Sequence, residues 1–383
     1  MRLLICPDKF AGTLSAPDAA EAVAAGWRSV RPADELVLRP LADGGPGFVA
    51  VLAAAHPEGK RFPVATTDPL GRPVDGEILV VGQTAYVESA QACGLHHLAV
   101  RERDPRRASS AGLLRLIAAA TEAAGVSRIV LGLGGSATND AGVRVLAGFG
   151  VPEPLAAFTG GGPDPRSSAA DDQGQKTAQI VGSRRSAEGT ALDGIELIGA
   201  TDVDNPLVGP RGASRVFGPQ KGADPAAVEE LEAALIRVAA VLPAGVAETP
   251  GAGAAGGLGA AILALGGRLT SGIDLVRDAI GLDEQLRQAD LVITGEGSFD
   301  EQSLHGKVID GVAGAARASG VPVTVLAGRV TADPAAWRAA GVTRAESLVE
   351  AFGLERAMAD ASGGLRELAA RLARDISSGR SRI

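Results

Sequence analysis

Short polar clusters follow apolar runs at four places in this chain, and this pattern constrains the fold more than any other feature. The clusters are Cys6-Pro7-Asp8-Lys9, Ala42-Asp43-Gly44-Gly45, Gly134-Gly135-Ser136-Ala137-Thr138-Asn139-Asp140 and Thr294-Gly295-Glu296-Gly297-Ser298-Phe299-Asp300. Three of them follow predicted strands, at 3–5, 129–131 and 291–293. Ligands of open α/β sheets bind outside the carboxyl ends of the strands. The pattern therefore predicts an α/β protein with one shared active site.

The length of the chain and the order of its predicted elements favour two domains. A chain of 383 residues exceeds the usual size of one domain. Predicted strands and helices alternate at both ends, whereas 61–81 has the pattern of paired strands around a turn. We expect a doubly wound domain formed by both termini, 1–84 plus 276–383. A second α/β domain is expected to be inserted over 85–275.

One segment of the second domain, 151–189, departs from this pattern. It contains Gly160-Gly161-Gly162-Pro163 and Asp171-Asp172-Gln173-Gly174, with almost no hydrophobic periodicity. Such a composition buries too little apolar surface to offset the entropy lost on ordering. We therefore expect a mobile surface excursion from the second domain.

Composition argues against several classes of function. The net charge of −8 argues against a nucleic-acid partner, because binding to phosphates needs a concentrated basic face. The two cysteines, Cys6 and Cys93, are too few for a disulfide framework and lack metal-ligand spacing, which favours a reducing cytoplasm. No apolar run reaches the ~18 to 20 residues that span a bilayer, so no membrane association is expected.

The first two clusters place charged groups at neighbouring strand ends. Asp8 and Lys9 are an acid and a base side by side, which suits a small anionic, hydroxylated ligand. The alternative is a solvated turn. Asp43 precedes two glycines, a pattern common in plain turns. A functional interpretation is supported by its position at the next strand-to-helix junction of the same sheet.

The third cluster, 134–140, is the most specific of the four. Two glycines, two hydroxyls, an amide and a carboxylate before a predicted helix form a nest of hydrogen-bond donors for an anion. The alternative is a glycine turn in which Ser136 or Thr138 caps that helix. Capping accounts for one hydroxyl and leaves the other polar groups unexplained.

Two further motifs each have a ligand-binding and a purely structural interpretation. Asp202 and Asp204 lie two residues apart, so on an extended segment both point the same way and could hold Mg²⁺, although a plain turn explains them equally well. Gly251, Gly253 and Gly256 satisfy a Gly-x-Gly-x-x-Gly string, which is weak evidence in a chain with 52 glycines and no strong strand before it. Approach to a nucleotide phosphate and simple helix packing would need the same glycines.

The last cluster has the ingredients of phosphoryl transfer. Glu296 and Asp300 follow a predicted strand, and Lys307 lies one helical turn beyond Ser303. An acid that takes a proton and a lysine that neutralises phosphate charge suit a reaction that depends mainly on positioning and electrostatics.

Taken together, these clusters resemble the bacterial type-1 glycerate kinases over nearly the whole chain. The matching motifs are Pro7-Asp8-Lys9, Ala42-Asp43-Gly44-Gly45, Gly134 to Asp140, Asp202-Val203-Asp204-Asn205-Pro206-Leu207, Gly209-Pro210-Arg211-Gly212-Ala213, Phe217-Gly218-Pro219-Gln220-Lys221-Gly222-Ala223, Gly251 to Gly259, and Gly295-Glu296-Gly297 through Ser303 to Lys307. The resemblance implies phosphorylation of D-glycerate to 2-phosphoglycerate with ATP and Mg²⁺. It also implies a flavodoxin-like domain of both termini, an inserted second domain, and an active site in the cleft between.

The resemblance gives each cluster an expected role. Glycerate is expected to bind Asp8, Lys9, Asp43, Ser136 and Asn139. The nucleotide is expected to bind Gly134, Gly135, Lys221, Gly253, Gly256, Gly257 and Glu296. Either Asp300 or Asp140 orients or deprotonates the attacking hydroxyl, Lys307 and Lys221 stabilise the transferring phosphate, and Asp202 and Asp204 hold the metal.

Some departures and alternatives stay open at this point. Ala141 stands where the family usually has glycine, Ser298 stands where arginine is common, and 151–189 resembles a locally shifted reading frame. A nicotinamide-dependent hydroxy-acid oxidoreductase would also be doubly wound, but it needs a dinucleotide fingerprint directly after a strand. A non-catalytic small-acid binding protein is the other alternative. A homodimer is compatible with each of the three.

Overall fold

The computed structural model describes residues 1–159, 192, 194–304 and 308–379. The chain forms two compact units. The terminal unit comprises Met1–Asp43, Ala50–Pro57 and Ile273–Ile383, and the inserted unit comprises Gly44–Val49 and Glu58–Gly272. No helix among the described residues is long and apolar enough to cross a bilayer.

The described residues form the strands and helices of both units. The strands are β1 Arg2–Ile5, β2 Glu35–Leu38, β3 Lys60–Thr67, β4 Pro73–Val81, β5 Thr84–Glu88, β6 Arg128–Gly132, β7 Glu196–Ala200, β8 Arg268–Thr270, β9 Leu291–Thr294, β10 Ser298–Phe299, β11 Val323–Ala327, β12 Arg329–Val330 and β13 Val342–Ser347. The helices are α1 Ala16–Arg28, α2 Phe48–Ala55, α3 Ala90–Cys93, α4 Ala111–Glu122, α5 Val143–Gly148, α6 Glu153–Thr159, α7 Ala213–Phe217, α8 Pro225–Ala239, α9 Ala254–Ala264, α10 Gly272–Ala279, α11 Leu282–Arg287, α12 Val308–Ala318, α13 Pro334–Ala339, α14 Leu348–Phe352, α15 Leu354–Ala359 and α16 Ala361–Ser377.

The terminal unit is built on a parallel five-stranded sheet in the order β2-β1-β9-β11-β13. Counted along the chain within this unit, the order is 2-1-3-4-5, which is the flavodoxin-like order. Helix α1 covers the sheet and begins at Ser15, whose hydroxyl accepts a hydrogen bond from the amide of Asp18 at 3.2 Å. Trp27 of the same helix is fully buried. The predicted doubly wound fold of both termini is confirmed.

The inserted unit contains a mixed six-stranded sheet in the order β3-β4-β5-β6-β7-β8. Strands β3, β4 and β5 are antiparallel, and β5 to β8 are parallel. The predicted domain boundary at 84/85 is therefore wrong, because the β3–β4 hairpin pairs with β5 rather than with the terminal sheet.

The predicted irregular segment begins too early. Helix α6 occupies the start of 151–189, and Phe158 at its end is buried in a cluster with Leu146 and Leu235. The guanidinium of Arg237 donates hydrogen bonds to the carbonyl oxygens of Ala157 and Phe158, at 3.0 and 2.9 Å. Because these contacts are tertiary, the local sequence pattern did not reveal the helix. The rest of the segment, 160–189, lies outside the described residues.

Candidate active site

The sheet of the terminal unit reverses its strand order between β1 and β9. At this point the amide of Asp8 donates a hydrogen bond to the carbonyl oxygen of Gly295 at 2.8 Å, just beyond the two strands. Gly295 has no room for a side chain, because a Cβ there would overlap the carbonyl oxygen of Leu326. The two loops are thus fixed at the position where doubly wound folds bind ligands.

Asp8, Lys9 and Asp43 form a charged group at this edge. The Asp8 Oδ1 accepts a hydrogen bond from the Lys9 amide at 2.7 Å, and the Lys9 Nζ lies 3.5 Å from the same oxygen. The same Nζ lies 3.7 Å from Asp43 Oδ1. Asp8 is buried, and this desolvation raises the pKa of its carboxyl to about 6, with Lys9 opposing the rise and Asp43 adding to it. The sequence prediction placed all three residues at neighbouring strand ends, and they do meet.

The last predicted cluster lies at the same carboxyl edge of the terminal sheet. Strand β10 ends at Phe299, and the amide of Asp300 donates a hydrogen bond to Ser303 Oγ at 3.1 Å. The Asp300 Oδ1 accepts the amide of Gln302 at 2.9 Å, which closes a tight turn over Glu301–Leu304. The carbonyl of Glu296 accepts the amide of Gly328 at 3.0 Å. Lys307, predicted to neutralise phosphate, lies outside the described residues.

In the inserted unit, the loop after β6 holds a fully buried carboxylate. The Asp140 Oδ2 accepts hydrogen bonds from the amide and the hydroxyl of Ser110, at 2.8 and 3.0 Å, and its Oδ1 accepts the amide of Gly142 at 3.2 Å. Asp140 has no exposed surface. These bonds fix the start of α4 against the loop. Both carboxylate oxygens of Asp140 are therefore engaged within the protein, and its predicted role in proton transfer stays a prediction.

The buried side chain of Lys221 binds the same loop. Its ammonium donates to Ser136 Oγ at 3.0 Å and to the carbonyl oxygen of Thr138 at 2.6 Å. The side chain is buried, and desolvation lowers its pKa to about 8, although the nearby charge of Asp140 acts in the opposite direction. In this structure the ammonium therefore binds the loop, and its predicted contact with nucleotide or phosphate stays a prediction.

Only the first part of this loop reaches the surface. Gly135 is exposed and Gly134 is half-buried, whereas Ser136 is 7% exposed. Asn139 is fully buried, and its Nδ2 donates to Ser214 Oγ at 2.9 Å. A ligand of this loop would meet the backbone of Gly134 and Gly135 first. The Oδ1 of Asn139 is buried and accepts no hydrogen bond from the described residues, and its predicted substrate contact stays a prediction.

The glycine-rich first turn of α9, together with the residues just before it, packs against the loop 134–140. Ala255, Gly256 and Gly257 adopt left-handed backbone conformations, with φ of 51°, 71° and 96°. A Cβ at Gly256 would overlap the carbonyl oxygen of Thr138, and the carbonyl of Gly256 accepts the amide of Ala141 at 2.9 Å. Gly253 and Gly257 are likewise buried against neighbouring backbone. These three glycines therefore pack closely against neighbouring backbone, and their predicted contact with the nucleotide stays a prediction.

The backbone conformation at position 141 accounts for the glycine that is usual there in the family. Ala141, which stands where glycine is usual, has a φ of 52°. A left-handed conformation is costly for alanine, and such strain is kept where the surrounding structure imposes it. Ala141 and Ala255 are the non-glycine residues of positive φ in the described part of the chain.

The two predicted metal ligands have separate partners. Asp202 Oδ1 accepts hydrogen bonds from Ser271 Oγ and from the Gly272 amide, at 2.9 and 2.8 Å. Asp204 is exposed and accepts both of its bonds from Nη2 of Arg211, at 2.7 and 2.8 Å. Strand β7 ends at Ala200, so the extended geometry that would align the two carboxylates does not continue. Among the described residues, no three histidine, cysteine or acidic side chains are grouped to hold a metal.

Sequence reasoning did not single out three residues that shape the site. Glu88 is a buried carboxylate whose Oε2 accepts the amides of Gly47 and Val49, at 3.1 and 3.2 Å, at the start of α2. Ser110 and Ser214 bind Asp140 and Asn139. Ser110 and Asp140 lie 30 residues apart along the chain, and Asn139 and Ser214 lie 75 apart, so no local pattern could have shown these contacts.

These features define an α/β enzyme with charged groups at the switch point of a flavodoxin-like sheet. A sequence model of the glycerate kinase family matches residues 3–377. Glycerate 2-kinase of Escherichia coli is 38% identical over 367 residues, covering 92% of each chain, and glycerate kinase of Bacillus subtilis is 39% identical, covering 99% of this chain and 97% of its own. A crystal structure of a Salmonella typhimurium LT2 protein assigned as glycerate kinase 2 superposes with a TM-score of 0.76 at 35% identity, covering 99% of both chains. The chain belongs to the glycerate kinase family, a family of kinases.

Proposed function

We propose that this protein transfers the γ-phosphoryl group of ATP to the 2-hydroxyl of D-glycerate, giving 2-phosphoglycerate and ADP. The observation that carries the proposal is the group formed by Asp8, Lys9 and Asp43 at the switch point of the terminal sheet. It offers a cation for a small carboxylate and two acceptors for its hydroxyls. Family membership makes the reaction a kinase reaction.

Each binding role follows from the chemistry of the groups. Lys9 neutralises the carboxylate of glycerate, and Asp8 and Asp43 accept hydrogen bonds from its hydroxyls. The backbone of Gly134 and Gly135, which reaches the surface, provides amides for nucleotide phosphate, with Glu296 at the edge of the terminal sheet as a further nucleotide contact. Ser136, Asn139, Lys221 and Asp140 keep that loop in shape.

Mg²⁺ is proposed to bind through Asp202 or Asp204 together with phosphate oxygens. Mg²⁺ in kinases commonly takes one or two carboxylates and completes its shell with phosphate and water, so a ready-made cage is not needed. The ion pair of Asp204 with Arg211 is exposed, and pairs of this kind contribute only about 0 to 1 kcal/mol. Arg211 can therefore be exchanged for a cation at little cost. When bound, the metal would neutralise charge on the transferring phosphate.

The test is an ATP-consumption assay with D-glycerate, with L-glycerate and D-lactate as matched acids. Release of ADP with D-glycerate is expected, and phosphorus NMR of the product should show 2-phosphoglycerate rather than the 3-isomer. Loss of signal on chelation of divalent metal tests the Mg²⁺ requirement. If ATP is not consumed, an absorbance change of a nicotinamide cofactor or binding of D-glycerate without turnover would favour the two alternative functions.

Cellular location and assembly are also proposals. Cys6 and Cys93 are buried free thiols, which agrees with a reducing cytoplasm. A homodimer is proposed as the assembly, and light scattering of the purified protein measures it directly. A monomer at assay concentration would remove it from the proposal.

A further inference from the structure

We propose that Asp8 is the base that takes the proton from the attacking hydroxyl of glycerate. This inference rests on the proposed function and adds to it the residue that performs the proton transfer. It differs from the sequence expectation, in which Asp300 or Asp140 was the base and Asp8 only held the substrate.

The position of Asp8 suits a base that must meet a ligand in a fixed geometry. Its amide is tied to Gly295 across the two strands at which the sheet order reverses, so its backbone is held on a rigid element. The Oδ1 is directed by the Lys9 amide. The Oδ2 accepts no hydrogen bond from the described residues, which leaves its lone pairs available for a substrate hydroxyl.

The charges around Asp8 support the same role. The groups acting on it are Lys9 and Asp43, both in the terminal unit, and burial outweighs the attraction of Lys9. Because the pKa of Asp8 is raised to about 6, the carboxylate stays largely ionised at neutral pH and yet binds a proton more strongly than an ordinary aspartate. A general base works best when its pKa lies near the working pH.

The other two carboxylates are less suited to the task. Both oxygens of Asp140 accept hydrogen bonds from neighbouring backbone and from Ser110, and the residue has no exposed surface. Asp300 uses Oδ1 to close a short turn with Gln302. Asp140 therefore has no available oxygen, and Asp300 follows the two-residue strand β10, outside the five-stranded sheet at whose switch point Asp8 is anchored.

The proposed step balances without any further reactant. A lone pair of the glycerate hydroxyl oxygen forms the new bond to the γ-phosphorus of ATP. The bond between that phosphorus and the bridging oxygen breaks, and its electron pair leaves with ADP. The hydroxyl proton goes to Asp8 Oδ2, and the neutral carboxylic acid later releases it to solvent.

The test compares kcat, KM and their pH dependence in the full-length wild type, Asp8→Asn, Asp8→Gly, Asp300→Asn and Asp290→Asn. Asp290 is the matched control, because its carboxylate binds the Arg2 amide at the opposite end of β9. For Asp8→Asn we expect kcat to fall by about 10² to 10⁴-fold with a much smaller change in glycerate dissociation constant. The acid limb of the wild-type profile, near pH 6, should disappear.

Chemical rescue separates a base from a residue that only shapes the site. Formate should restore part of the kcat of Asp8→Gly, because a small carboxylate can enter the space left by the side chain, and it should leave Asp300→Asn unchanged. Rescue of Asp300→Asn with an unaffected Asp8→Asn would overturn the inference, as would an Asp8→Asn enzyme that keeps kcat within threefold. Wild-type enzyme that does not phosphorylate glycerate would instead refute the proposed function.

Discussion

The ammonium of Lys221 donates a hydrogen bond to the carbonyl oxygen of Thr138, 2.6 Å away and 83 residues earlier in the chain. A second bond from the same nitrogen reaches Ser136 Oγ. One buried cation thus holds two points of the loop that exposes Gly134 and Gly135. The cost of burying it is visible in its pKa, which is lowered to about 8.

Replacing Lys221 by methionine should loosen this loop. The apolar side chain keeps the volume but leaves the Thr138 carbonyl without its donor, and an unsatisfied buried group costs about 1 to 3 kcal/mol. We expect faster hydrogen exchange of the amides at 134–140 and at least a tenfold loss of kcat/KM for ATP. Lys60→Met, on the exposed strand β3, is the matched control and should change neither. Unchanged exchange at 134–140 would show that the loop holds its shape without Lys221.

The same residue predicts how stability depends on pH. The pKa of Lys221 is about 8 in the folded protein, below the usual 10.5, so the unfolded chain binds more protons between these values. Stability should therefore rise as pH increases from 8 to 10.5, by roughly 3 kcal/mol at most. The difference between wild type and Lys221→Met in thermal melting, measured at pH 8 and pH 10, isolates this contribution. A difference that does not vary with pH would contradict the shifted pKa.

Asp140 and Ser110 should behave as a coupled structural pair. Asp140→Asn brings an amide group against two donors of Ser110, and Ser110→Ala removes one of those donors. Each change should lower stability by about 2 kcal/mol, and the double variant should lose less than the sum of the two. Chemical denaturation of the four proteins gives the coupling energy. Additive losses, or full stability of Asp140→Asn with a large loss of kcat, would favour a direct catalytic role instead.

The sequence predicted this fold and part of this site for reasons that are local. Strand and helix periods repeat over a few residues, and polar residues at the ends of parallel strands must share one edge of the sheet, so the meeting of Asp8, Lys9 and Asp43 could be inferred. The roles of Asp140 and Lys221 depend on partners 30 and 83 residues away. No pattern along the chain distinguishes a buried charged side chain that binds a loop from one that contacts a ligand, since both need the same residue type.

The proposed metal site predicts opposite effects for two neighbouring residues. Arg211 occupies both oxygens of Asp204, so it competes with any cation there. Arg211→Ala should therefore lower the Mg²⁺ concentration needed for half-maximal activity, and Asp204→Ala should raise it, with little change in glycerate KM for either. Titration of activity with Mg²⁺ at saturating ATP measures both. If neither variant shifts the titration, Asp204 belongs to a structural turn and Asp202 or another group serves the metal.

The inferred base should make the protein less stable than it could be. The folded pKa of Asp8 is about 6, above the usual 3.8, so the folded state binds more protons than the unfolded chain between these values. Its contribution to stability is full below pH 3.8 and is lost as pH rises through 6, by about 3 kcal/mol in total. Asp8→Asn keeps an acceptor for the Lys9 amide and removes the buried charge. We expect it to melt at a higher temperature than wild type at pH 8, with a clearly smaller gain at pH 5. Asp290→Asn, which removes an exposed carboxylate in the same unit, should show no such pH-dependent gain. An Asp8→Asn protein that is equally stabilised at both pH values, or destabilised at pH 8, would mean that Lys9 and Asp43 compensate the buried charge in full.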